Sequence, residues 1–256
     1  MSDCTPTPDE RIAGEIGQGT YEALQPDRIA LTPKPPAPKI ILLNGPPRCG
    51  KDTLGRMVTT ILRNSIDDIY TDTVKFADPL KEMTHGLYME LDDSQNRRVR
   101  PWWSGKFEDR KDEPCEEFLG ATPRQAYIAV SEKLMKPLHG DDVFGRLLVK
   151  NIYEMFYKDA TPPFCDVVLA VTDSGFEGEA QVLVDAYGAE NVALVRITRE
   201  GCSFAGDSRG YINIAGVRTY IFCNEGTLFD LWQSAAGLAS SLTSLWRFGA
   251  QARAAA

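Results

Sequence analysis

Apolar residues in this chain gather into short unbroken blocks, set between longer stretches of mixed polarity. Ile40, Ile41, Leu42 and Leu43 form the first block. A continuous apolar run of that length predicts a strand buried on both faces. Residues 166–171 and 192–197 repeat the pattern, residues 74–77 read as a second early strand, and residues 220–222 as a short last one. Between them, helical spacing covers 53–63, 78–88, 122–135, 141–157, 176–187 and 227–245. Thr122 before Pro123 predicts an N-cap with proline at the first helical position. Strands alternating with helices predict an α/β protein: a mostly parallel sheet, helices on both faces, and ligands at the carboxyl ends of the strands.

The flanks read differently. Residues 1–38 are rich in proline and end in a run of them from Pro33 to Pro38. Such a segment neither joins a ladder nor continues a helix, so it reads as a flexible arm, with room for a short helix around 12–24. The folded domain is expected over 39–248, with a polar insertion at 92–120 placed to act as a lid, and residues 249–256 as a frayed tail.

Composition narrows the class. A length of 256 residues suits one large domain with a well-buried core. No apolar run approaches the roughly 18–20 residues that span a bilayer, and the N-terminus lacks a basic-then-apolar secretory pattern. The six cysteines form no C-x-x-C pair, and two histidines argue against a His-built metal site. These features lead us to expect a reduced, cytoplasmic protein without a membrane partner, and they leave a homodimer open. A net charge of −8 argues against tight non-specific DNA binding, but leaves room for a local basic cleft.

The chemistry is concentrated in Gly45, Pro46, Pro47, Arg48, Cys49, Gly50, Lys51, Asp52 and Thr53, which fit G-x-x-x-x-G-K between a buried strand and a helix. Main-chain amides must converge on phosphates there, and side chains at the glycines would obstruct them. The helix start adds unpaired N–H groups and the positive end of its dipole. Lys51 reaches the β- and γ-phosphates. Asp52 stands where a Ser or Thr usually follows the lysine, and the hydroxyl comes one place later at Thr53. Either residue is a candidate to meet Mg²⁺. The loop resembles the G-x-P-x-x-G-K-x-T form of nucleoside monophosphate kinases more than that of switch GTPases or motor ATPases. A chance Gly/Pro turn is the bland alternative, disfavoured by the strand before and the helix after.

Further short segments extend the likeness. Phe76 to Lys81, Thr122 to Gln125, Val171 to Ser174 with Glu179, Arg199 to Gly201 and Asn224 to Gly226 together resemble the bacteriophage deoxynucleoside monophosphate kinases, a group that includes phage 5-hydroxymethyluracil DNA kinases. The resemblance is low and runs from about residue 39 to residue 232. It implies a three-layer P-loop nucleoside-kinase fold using ATP and Mg²⁺. It places Phe76, Lys81 and Arg124 at the acceptor, Arg199 beside the transferring group, Asn224 near the adenine, and Asp173 on magnesium or the acceptor oxygen. Gly175 stands where the pattern has an arginine.

Blander readings accompany these. Asp173 at a strand end caps a following helix as readily as it holds a ligand, and Asn224 to Gly226 also suits a simple turn. The charged run 108–113 reads as a solvated face. Trp102 and Trp103, beside Arg97, Arg98 and Arg100, either stack on a base or anchor the insertion. The leading expectation is an ATP-dependent phosphotransferase, with Lys51, Arg48, Asp173 and Arg199 at the transferring group. Its acceptor is a free dNMP by a narrow preference, or 5-hydroxymethyl-deoxyuridine in DNA, which Gly175 and the Arg/Trp stretch favour. A nucleotide-binding module without transfer is the remaining class.

Overall fold

A computed structural model describes residues 36–88, 107–158, 165–246 and 248. The N-terminal arm up to residue 35, the Arg/Trp stretch 97–103 and the tail 249–256 lie outside the described residues. The chain opens with β1 (Lys39–Asn44), α1 (Lys51–Ser65), β2 (Ile69–Val74) and α2 (Ala77–Tyr88). A helical stretch follows as α3 (Pro123–Ala129), a wide π turn at Val130–Met135 and α4 (Lys136–His139), and then α5 (Val143–Phe156). The second half is β3 (Asp166–Val171), α6 (Glu177–Tyr187), β4 (Val192–Thr198), β5 (Arg218–Cys223) and α7 (Leu228–Trp246).

The five described strands make one all-parallel sheet in the order β2-β3-β1-β4-β5. Central position explains the apolar blocks. Because strand side chains alternate, Ile40 and Leu42 face one layer while Ile41 and Leu43 face the other, and neither face meets water. On one side α1 contributes Leu54, Val58 and Leu62, and α7 contributes Leu231, Ala235, Leu238 and Leu242. On the other, α5 and α6 bury Phe144, Leu148, Ile152, Ala180 and Leu183, with Leu80 of α2 alongside. The expected α/β class, with a parallel sheet between two helical layers, stands.

Two local expectations need comment. The second strand ends at Val74, where the sequence reading begins it. β2 is an edge strand reading Ile-Tyr-Thr-Asp-Thr-Val, in which Asp72 is exposed and Thr71 is buried with its hydroxyl on the Thr59 carbonyl of α1 at 2.9 Å, so it carries no apolar block. Thr122 caps α3 as expected, in a full capping box: its hydroxyl accepts the Gln125 amide at 3.1 Å and Gln125 returns a bond at 2.9 Å.

The described part of the insertion, 107–120, packs down rather than standing free. Phe107, Cys115 and Phe118 form a small core with Ala126, and His85 and Tyr127 set their rings against Phe118. No helix of the described residues is long and apolar enough to cross a membrane.

Candidate phosphate-binding site

The loop after β1 lies where crossovers diverge, since α1 covers one face of the sheet and α6, after the neighbouring β3, covers the other. Such divergence opens a crevice at the strand ends. Within the loop, Cys49 donates its amide to the Pro46 carbonyl at 3.3 Å, and Arg48 holds a φ of 63°, unusual for a residue with a side chain. Gly50, at φ 95°, leads into α1 with no side-chain cap. A Cβ on Gly50 would collide with the Asn224 amide. One on Gly45 would lie 2.7 Å from Cys49 Sγ and 2.8 Å from the Ile197 carbonyl oxygen. The first amides of α1 lack intrahelical acceptors, so the loop and helix start offer convergent donors suited to an anion. Buried Lys51 folds its ammonium across the loop onto the Pro46 carbonyl at 3.0 Å, keeping further N–H donors for a ligand.

Asn224, expected near the adenine, braces the loop itself. Its side-chain amide donates to the Cys49 carbonyl at 2.7 Å, and its backbone N–H to the Thr198 carbonyl at 2.8 Å. Sitting just past β5, it fastens the loop to the sheet. Arg48 and Arg199 are exposed at the rim, where Arg199 Nη1 donates to the Arg48 carbonyl at 3.5 Å.

Asp52 is drawn toward β3. Its Oδ1 accepts the Thr172 hydroxyl at 2.9 Å and pairs with Lys75 Nζ at 2.9 Å. Burial pushes the Asp52 carboxyl up, but the hydrogen bond and charge of Lys75, with Thr172, outweigh it and hold the group below its usual range. For Lys75 burial pulls down and the Asp52 pair more than compensates, leaving it raised. Thr53 is half-buried in the first turn of α1. A hydroxyl and a carboxylate oxygen beside a phosphate cradle fit the oxygen preference of Mg²⁺.

Asp173 requires a correction. Both of its oxygens accept backbone amides at the entry to α2, from Phe76 at 2.8 Å and Ala77 at 3.0 Å. It therefore caps a helix, yet not the one that follows it in sequence, and these bonds occupy oxygens expected to meet magnesium or the acceptor. Burial raises the Asp173 carboxyl against the pull of those amides. Its charge in turn helps burial push Asp78 up to about 6 and Glu179 up to about 8.

The acceptor-side residues are brought to the same sheet edge, with their side chains already engaged. Phe76 is a core residue, 2% exposed, and belongs to the apolar cluster on the α5–α6 side of the sheet. Lys81 is buried and pairs with Glu108. Arg124 grips Asp112 with two nitrogens, Nη2 to Oδ2 at 3.2 Å. The run 108–113 is largely exposed, as a solvated face should be, while Glu108 and Asp112 tie it to Lys81 of α2 and Arg124 of α3.

Three positioning residues escape a sequence reading. Asn44, fully buried at the end of β1, donates to the carbonyls of Ser174 at 2.7 Å and Gly210 at 2.9 Å, and accepts the Ile212 amide at 3.0 Å. Lys75 follows a strand whose end was misjudged. Arg209 belongs to the helix-free crossover between β4 and β5, and its stem lies over Gly175: a Cβ there would be 2.5 Å from Arg209 Cδ and 2.6 Å from Cγ. Only Asp207, two residues before Arg209, hints at an Asx turn in that stretch. No protein-family model matches this chain, and no curated protein matches it significantly in sequence.

Proposed function

We propose that this chain is an ATP-dependent phosphotransferase acting on a deoxynucleotide acceptor. The observation that carries the reading is the loop at 45–53: a cradle closed to any side chain at Gly45 and Gly50, with Lys51 folded over it, at the diverging crossovers. In phosphoryl transfer there is little covalent work for a protein, and positioning with charge neutralisation supplies most of the catalysis. The loop amides and Lys51 would hold the triphosphate, while Arg48 and Arg199 stand at the rim to meet charge on the transferring group. Thr53 and Asp52 would hold Mg²⁺, which when bound draws charge from the phosphate oxygens. Asp52 is kept ionised for that task by Lys75.

We favour a free deoxynucleoside monophosphate as acceptor, because the cations on the acceptor side belong to packed elements on α2, α3 and the β4–β5 crossover. 5-Hydroxymethyl-deoxyuridine within DNA is the second candidate. Radiolabelled ATP supplied with each dNMP, and separately with hydroxymethyluracil-containing DNA, decides between them. Label is expected on a dNMP. Label on neither, with ATP bound or hydrolysed, refutes transfer and leaves a nucleotide-binding module. Lys51→Ala should weaken nucleotide binding at least about tenfold through loss of charge-assisted bonds. Unchanged binding and turnover in that variant would remove the basis of the reading.

A further inference from the structure

We propose that Arg209 is the residue that takes the acceptor's phosphate, reaching over Gly175 from the β4–β5 crossover. The assignment rests on the phosphotransferase reading and adds to it a residue that carries no motif. The stem of Arg209 passes so close to Gly175 that a Cβ at 175 would stand 2.5 Å from Cδ, 2.6 Å from Cγ and 2.8 Å from Cβ. Absence of a side chain in the loop after β3 is therefore what lets an arginine from elsewhere lie there.

Its backbone is held too firmly for this to be a passing loop conformation. Gly210, next in sequence, donates to the Gly175 carbonyl at 3.4 Å and accepts from Asn44 at 2.9 Å. The Ile212 carbonyl, two residues further, takes both Arg196 Nε at 3.0 Å and Nη2 at 2.6 Å. The guanidinium is oriented in turn by Asp207, which accepts Nε at 2.8 Å and Nη2 at 2.6 Å. That fork leaves the Nη1 side outside the Asp207 pair, and the Arg209 side chain is 30% exposed. Planar guanidinium with open N–H donors is suited to phosphate oxygens.

The electrostatic setting agrees. Arg209 feels the charges of Asp173 and Glu179, and it lies close enough to Arg124 for the two guanidinium groups to repel. Asp207 in turn lies within range of Lys51, the lysine of the phosphate loop. The group therefore stands between the two halves of the crevice. A pair such as Asp207–Arg209, made within one loop, needs no glycine at 175 and no second arginine nearby. An anion on the open side of the Arg209 guanidinium accounts for the stem's path over Gly175.

The test uses the full chain as wild type and as Arg209→Ala, Arg209→Lys and Gly175→Ala. Calorimetry measures the affinity for a non-hydrolysable ATP analogue, then for each dNMP and for a hydroxymethyluracil oligonucleotide in its presence. Steady-state rates and melting temperature accompany each variant. Arg209→Ala should weaken acceptor binding about tenfold or more, as expected for a lost charge-assisted contact, and leave ATP-analogue affinity within about twofold. Arg209→Lys should fall between, and Gly175→Ala should reproduce the defect by displacing the stem without altering charge. A dNMP effect assigns the contact to a phosphomonoester, and an effect confined to the oligonucleotide assigns it to a backbone phosphate. Acceptor affinity unchanged in Arg209→Ala overturns the assignment and leaves the phosphotransferase reading intact. So does a loss confined to melting temperature. Wild-type protein that binds neither nucleotide overturns both.

Discussion

Glu179 offers a quantitative check on the electrostatics of the crevice. It is 5% exposed on α6, and its carboxyl is pushed from the ordinary 4.5 up to about 8, first by burial and then by the charge of Asp173, with Lys136 and Arg209 pulling the other way. A carboxyl raised in the folded state binds its proton more tightly there than in the unfolded chain. Its penalty is absent below the unfolded value, grows as pH rises between about 4.5 and 8, and levels off above. Across that window the full cost is about 5 kcal/mol, and about 2.5 kcal/mol of it accrues between pH 5 and pH 7. Replacing Glu179 with Gln removes the titration while keeping the shape. Asp78 and Asp173 are raised as well and destabilise in the same direction, so the quantity to follow is the difference between variant and wild type. Urea unfolding at intervals from pH 5 to pH 8 should show Glu179→Gln gaining on wild type by about 1.2 kcal/mol per pH unit near neutrality, close to the limiting slope of about 1.4 kcal/mol per pH unit for one proton. A difference that stays flat with pH would refute the reasoning, because it would mean that Glu179 is already ionised at pH 5 and the crevice is far more solvated than its burial implies.

Other consequences follow from the same geometry. Asn44→Ala orphans two buried carbonyls and one amide, and should cost about 2–4 kcal/mol in denaturant unfolding while exposing the β4–β5 crossover to proteolysis. An unchanged midpoint would deny Asn44 its clamping role. Asn224→Ala releases the Cys49 carbonyl, so ATP affinity should fall a few-fold and equally for ATP and GTP, since the residue holds the loop rather than a base. A selective loss of ATP would restore a base-reading role. For Asp52 and Lys75, exposed by 56% and 32%, a double-mutant cycle with Asp52→Asn and Lys75→Met should give a stability coupling below about 1 kcal/mol. Because the Asp52 carboxyl is held low, its contribution is present above its unfolded pKa and fades only as pH falls through the lower folded value.

The glycine-rich loop at 45–53 was legible because its requirements are local. Gly45, Gly50 and Lys51 lie within one strand–loop–helix unit, and the conformation that excludes a side chain at Gly50 is a property of that backbone. The central strands were equally plain, since burial on both faces demands unbroken apolar blocks at 40–43, 166–171 and 192–197. β2 was not: at the sheet edge its positions are mostly half-buried, so Thr71, Asp72 and Thr73 interrupt the apolar pattern and shift the reading onto residues 74–77.

What remained hidden depends on contacts distant in the chain. Asp173 looks from sequence like a cap for the next helix or a ligand, and only the fold shows it capping α2, almost a hundred positions earlier. Phe76 is an acceptor contact by resemblance, and only the fold shows it as a buried core residue. Gly175 seemed to mark a missing arginine. In three dimensions it is the space through which Arg209 passes, held there by Asn44 from the far end of β1. Sequence by itself determined the parallel α/β class and the glycine-lined loop between β1 and α1, whose physical causes act over a few residues. Tertiary structure alone decided which charges share the crevice, because a Coulomb interaction depends on distance in space and carries no trace of separation along the chain.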